Sequence, residues 1–236
     1  MGKLFDLDSP IMNFLSKMAD LIGLNILAFV CCLPIVTVGA SMTALHYVCL
    51  KLIRNEEGYI VKSFFKSFKQ NFKQATIIWL IWLGVMLLFL GDLMIFMYSG
   101  IAFPGWLKIV FLAVVLLSIF ATMHVFPILS RFENSVKNTY KNSLLMGVLA
   151  FPKTILMMVV WFVPALLVIF LPPSTPIALC LGISGPAFAC AALYNGTFKR
   201  FEPQEEEVAD EWFIEPEESE EQETGKDMTE WEMTEE

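Results

Sequence analysis

Four stretches of this chain, residues 75–98, 107–130, 154–171 and 177–198, run for 18 to 24 residues with at most one charged side chain each, Asp92 in the first and Lys108 in the second. About 20 consecutive apolar residues are what a helix needs to cross a bilayer, and in lipid a helix is favoured because it pairs its backbone polar groups within itself. With 56% hydrophobic residues against 17% charged, the 236-residue chain holds more apolar surface than one soluble core could cover. Lipid is therefore expected to be its solvent. Pro104-Gly105 and the run 172–176, Pro-Pro-Ser-Thr-Pro, separate the members of each pair of spans as turns.

Residues 21–52 are apolar apart from Lys51, too long for one straight crossing. Pro34 and Gly39 are the natural break points, and we read two embedded helices, residues 12–33 and 35–53, the second short or partly re-entrant. The expected fold is an all-α, polytopic bundle of six membrane-embedded helices, with five as the alternative. A cleaved secretory signal is disfavoured by Asp6, Asp8 and Asp20, which make the preceding region acidic.

The chain has three arginines, and each is followed two residues later by glutamate: Arg54 and Glu56, Arg131 and Glu133, Arg200 and Glu202. Each triplet closes an apolar stretch. Gly39 precedes Arg54 by 15 residues, as Gly185 precedes Arg200, which suggests one hairpin plan used three times. The arginines either form a ring of ion pairs with the glutamates at a common mouth, or reach separately to headgroups and helix-end carbonyls.

Charge divides the chain in two. Residues 201–236 carry 17 Asp or Glu against a lone Lys226, a net charge of −16, while residues 1–200 carry 15 Lys or Arg and 7 Asp or Glu, a net charge of +8. We therefore expect a membrane domain over 1–200 and an acidic, disordered tail over 201–236, within which Trp212-Phe213 and Trp231 are available for docking. Lysines cluster in the segments 51–73 and 131–153, which places both connectors and the carboxyl terminus in the cytoplasm.

Between the second and third helices, Phe64, Phe68 and Phe72 recur every four residues beside Phe65, with Lys62, Lys66, Lys69 and Lys73 on the other face. This spacing predicts an amphipathic helix lying at the lipid interface. Residues 134–149 repeat it, with Val136, Tyr140, Leu144 and Val148 as the apolar face and Lys137 and Lys141 near the other.

Few residues offer chemistry. Asp92 is the one carboxylate in a clear span, and His46 and His124 are the only histidines, each about two turns from an arginine-closed helix end. They would bridge helices or, if facing each other, pass a proton. The five cysteines lack C-x-x-C spacing, and no phosphate loop, nucleophile elbow or H-E-x-x-H occurs, so no cofactor, metal or nucleic-acid partner is expected and no enzyme activity is assigned. Small residues, Gly39, Ala40, Ser41 and Ala44 and then Gly182, Gly185, Ala187, Ala189, Ala191 and Ala192, would allow close helix contact.

The run Leu24-Asn25, the segment 33–39 (Leu-Pro-Ile-Val-Thr-Val-Gly), Ala44-Leu45, Lys51-Leu52-Ile53-Arg54 and the Phe/Lys connector resemble the YesL-like family of bacterial membrane proteins over residues 1–200. Ala40 stands where that family often has proline. The resemblance implies a multi-pass plasma-membrane protein, often encoded beside carbohydrate ABC transporters, with no assigned activity and no catalytic residue to carry over. Two functions are therefore expected to compete: an accessory or regulatory subunit of another membrane complex, such as a sugar importer, and a small transporter or channel lined by Asp92, the histidines or the arginines.

Overall fold

The computed structural model describes residues 10–56, 58–98 and 104–201, and all elements within them are helical. In chain order they are α1 (Pro10–Cys32), a 3-10 turn (Ile35–Thr37), α2 (Val38–Arg54), α3 (Ile60–Tyr98), α4 (Gly105–Arg131), α5 (Val136–Leu149), α6 (Phe151–Phe170), a second 3-10 turn (Pro172–Ser174), α7 (Thr175–Leu181) and α8 (Ser184–Phe201). Five helices are long and apolar enough to cross a membrane, and α7 with α8 makes a sixth span if that bent pair counts as one. The helical bundle expected from the apolar runs is what forms. The acidic tail, including Glu202, lies outside the described residues.

α2 is the hub. Ten of its seventeen residues are buried, and it packs against α1, α3, α4 and α8. Its Leu45, Val48 and Cys49 share one core with Leu24 of α1, Phe64 of α3, Ile128 of α4, Met157 of α6 and Ala187, Ala191 and Phe198 of α8. The small residues of α2 and α8 thus work mainly inside the chain: Ala40, Ala44, Ala187 and Ala191 have no exposed surface. Where helices meet in lipid, such residues let backbones approach and gain dispersion contact.

The break before α2 is built from the segment 33–39. Pro34 has no amide hydrogen to continue a helix, and Thr37 Oγ1 donates to the carbonyls of Cys31 at 2.6 Å and Pro34 at 2.8 Å. Trp79 Nε1 of α3 donates to the Ile35 carbonyl at 2.7 Å. Gly39 then lies against α3, where a Cβ would stand 2.5 Å from the Ala75 carbonyl oxygen and 2.7 Å from Trp79 Cβ. In this segment the proline interrupts the helix, the threonine satisfies the freed carbonyls, and the glycine admits the neighbouring helix.

The three arginine-closed helices end together. α2 ends at Arg54, α4 at Arg131, and α8 runs one residue past Arg200. Arg54 Nε donates to Asn195 Oδ1 at 2.9 Å, and Phe132, beside Arg131, meets Phe198 edge-on at 5.3 Å. Gly39 and Gly185 each stand second in their helices, as their equal spacing predicts. Their roles differ, because a Cβ on Gly185 would meet only Leu181 Cβ at 3.6 Å, an ordinary contact.

Three expectations need correcting. The Phe/Lys connector is not a separate helix on the lipid surface: residues 60–74 are the opening turns of a 39-residue α3, roughly 58 Å long at the usual rise. Lys62, Lys66, Lys69 and Lys73 are exposed as predicted, and so are Phe65 and Phe72, but Phe64 is completely buried and Phe68 packs on the same core. α2 lies along this stripe, so part of what reads as a lipid-facing stripe is a helix-facing one.

α5 only partly shows the face expected of it. Leu144 and Val148 are exposed, as an interfacial face would be, but Val136 and Tyr140 pack against a core cluster of α3 and α4, and the buried residues are Thr139, Ser143, Met146 and Gly147. Small residues fit the close α4–α5 contact, where a Cβ on Gly147 would come 3.3 Å from the Phe120 carbonyl oxygen. The hydroxyls are satisfied by backbone, Ser143 Oγ donating to the Thr139 carbonyl at 2.6 Å and Thr139 Oγ1 to that of Ser135 at 3.0 Å. The third correction concerns residues 177–198. They are not one rod but two helices, bent by 62° at Gly182-Ile183.

Gly39→Ala is expected to lower stability by about 1–3 kcal/mol, because the added methyl meets α3 backbone rather than a flexible side-chain end. Gly84→Ala in the same bundle, with nothing within 4 Å of the new methyl, should leave stability unchanged or slightly raised. Thermal melts of the two detergent-solubilised variants measure the contrast.

Candidate functional site

Breaking α7 from α8 leaves amides and carbonyls without their helical partners, and in an apolar surrounding each bare group is costly. One side chain resolves this. Asn25 of α1 is 3% exposed; its Oδ1 accepts from the amides of Ile183 at 2.9 Å and Ser184 at 3.0 Å, and its Nδ2 donates to the Leu179 carbonyl at 2.8 Å. Gly182 belongs to the same device, since a Cβ there would come within 2.2 Å of the Ala178 carbonyl oxygen. Ser41 Oγ adds a bond from α2 to the Ala28 carbonyl of α1 at 3.0 Å.

A second buried polar group surrounds His46. From α2, His46 Nδ1 lies 3.3 Å from the hydroxyl of Tyr194 on α8, with both residues at most 3% exposed. The hydroxyl donates if Nδ1 is bare and accepts if it is protonated. His124 of α4 is 2% exposed, and its Nδ1 has no hydrogen-bond partner among the described residues. The two histidines, 78 positions apart in the chain, are thus both buried, on helices that pack against each other.

Cys49 and Cys190 belong to the same core cluster as Tyr194, and both thiols are free. Arg54, bonded to Asn195 beside Tyr194, connects the group to the arginine-bearing end. Among the described residues no three of His, Cys, Asp and Glu come close enough to hold a metal ion. The arrangement hydrogen-bonds α2 to α8.

The remaining candidates lie at the surface. Asp92 is exposed on α3, beside a groove between α3 and α4. Glu56, Arg131, Glu133 and Arg200 are all exposed at helix ends, while Glu202 lies beyond the described residues. Of the polar groups seen to join elements, the sequence reading missed Asn25 as a functional residue, although it appears in the stretch that carries the family resemblance. It also missed Gln74, whose Nε2 donates to the Asn134 carbonyl, and Tyr140, whose hydroxyl donates to the Ile78 carbonyl at 2.9 Å. Burial raises the Tyr140 phenol above its ordinary range, which suits a permanent donor.

A family described as a protein of unknown function, DUF624, matches residues 21–93. That span covers the 33–39 break, all of α2, most of α3 and Asn25, but not Asn25's partners on α7 and α8. No curated protein and no solved structure matches the chain.

Replacing Asn25 by Ala removes the acceptor shared by two amides and the donor to Leu179. The expected cost is about 1–3 kcal/mol, the range for leaving buried partners unsatisfied. Hydrogen exchange should accelerate at Ile183 and Ser184 while amides in the middle of α4 keep their protection; unchanged exchange at those two amides would contradict the assigned role.

Proposed function

We propose that this chain is a non-enzymatic accessory or regulatory protein of the bacterial plasma membrane, with its carboxyl terminus in the cytoplasm, that binds another membrane complex. The YesL-like resemblance suggests a carbohydrate ABC importer as that complex. The observation that carries the reading is how the interior is filled. The buried polar residues Asn25, His46 and Tyr194 pair with one another or with backbone across helix contacts, and around them the core is packed with Leu, Ala, Phe and Cys.

A conduit needs polar side chains exposed to a continuous water-filled depth. Five grooves among the described residues, with volumes of about 320 to 480 Å³, open to the outside, and none of these five is lined by His46, His124 or Tyr194. What the molecule offers instead is a large uncovered apolar exterior on α3, α4 and α6. Such surface suits lipid and neighbouring helices alike.

Crosslinking in native membranes, followed by purification through an affinity tag, is expected to recover the permease subunits of a sugar importer. Substrate flux through liposomes containing this protein alone would overturn the reading in favour of a transporter. Reporter fusions at the carboxyl terminus should give a cytoplasmic signal, and an extracellular signal would invert the topology.

A further inference from the structure

The turn end of the α3–α4 hairpin combines two charges with an otherwise apolar exterior. Asp92 and Lys108 are both exposed there, among side chains such as Leu88, Met97, Ile109 and Leu112 that are at least 67% exposed, apart from Asp92's own groove neighbours. Neither charge makes a hydrogen bond or ion pair among the described residues. Exposed apolar side chains on a membrane helix need no explanation beyond lipid. A carboxylate among them invites a partner, since it stands six residues, roughly 9 Å, inside the end of α3 amid exposed apolar side chains.

The two charges lie at nearly one depth. Phe111 contacts Phe89 at 5.5 Å and Phe96 at 5.4 Å, which sets it level with Asp92, and Lys108 is one turn nearer the hairpin tip. They do not meet within the chain. Asp92 borders a groove of about 430 Å³ whose floor includes Phe89, Val110 and Phe111, whereas Lys108 is not among its lining residues.

We infer that this hairpin end is a self-association surface, on which Asp92 of one chain pairs with Lys108 of a second copy. A two-fold axis along the membrane normal preserves depth, so each α4 would enter the groove of the other chain and both ion pairs would form at once. Charge complementarity selects a second copy as occupant: it brings a cation for Asp92 and an anion for Lys108, where a helix carrying a single charge would answer only one. The inference goes beyond the accessory reading and does not depend on it.

The test uses the full chain, labelled in two colours and reconstituted at graded density in vesicles of neutral lipid, with energy transfer reporting association. Asp92→Lys alone and Lys108→Asp alone should each weaken self-association about tenfold. Mixing these two variants should restore transfer between the colours, because the lysine introduced in one chain and the aspartate introduced in the other then face each other across the contact. Asp92→Asn and Lys108→Gln should each weaken association alone, and mixing them, which returns one of the two ion pairs, should restore it only in part; circular dichroism confirms that each variant keeps its helix content.

Density-independent absence of transfer in the unmodified protein overturns the inference, as does weakened association in the charge-reversed singles that mixing leaves unrestored. Capture of an importer's permease without any self-association would overturn it too, while leaving the accessory reading in place.

Discussion

In lipid a backbone amide or carbonyl that leaves its helix must find another partner, and this constraint governs where the chain can break. The fold contains two internal breaks in otherwise spanning stretches, one before α2 and one between α7 and α8. Neither is left to water. At the first, the Thr37 hydroxyl takes up the Cys31 carbonyl, the Thr37 amide that of Pro34, and the Trp79 indole that of Ile35. At the second, the carboxamide of Asn25 accepts two amides and donates to one carbonyl. Because Trp79 belongs to α3 and Asn25 to α1, each repair also fixes a helix that is distant in sequence. Breaking the helices and assembling the bundle are thus one event.

This explains why α2 can be both short and central. A helix that starts late, at Val38, leaves room at its head for α3 to approach Gly39, and its small residues then admit α1 and α8. The hydroxyl and imidazole groups on α2 find partners on the neighbours, Ser41 with Ala28 and His46 with Tyr194. Polar groups buried in a membrane bundle hold register between helices, since a sliding helix would strip them of partners. The His46 group and the Asn25 bridge both tie to α8, which is the helix that ends the described chain.

Much of this architecture is legible in the sequence, and the parts that are not share a cause. Apolar length and the three Arg-x-Glu triplets locate the spans and their common end, because both depend on local composition. Pro34 and Gly39 mark the first break because proline and the need for close approach leave a signature. The bend at Gly182-Ile183 leaves almost none: Gly182 stands among other small residues, and the group that permits the break, Asn25, lies about 158 positions away. Likewise the every-fourth phenylalanine pattern of 64–72 is a true helical stripe, but a stripe does not say whether lipid or a protein helix covers it. α2 covers Phe64, and lipid or a partner is left for Phe65 and Phe72.

In water the apolar Leu144 and Val148 of α5 would turn inward; in a membrane protein apolar residues gain nothing by leaving lipid, so the interior is taken by whatever packs closest, here Thr139, Ser143 and Gly147. Hydrophobicity therefore ceases to report which face is core, and size and hydrogen-bonding capacity take over. The same reasoning separates the two ends of the molecule. Toward the arginines, helices rich in small residues close around the bonded pair of His46 and Tyr194. Along the outer turns of α3 and α4 small residues are few, and the described residues offer Asp92 and Lys108 no partner of opposite charge. The self-association inferred above would give each of them that partner from a second copy of the chain.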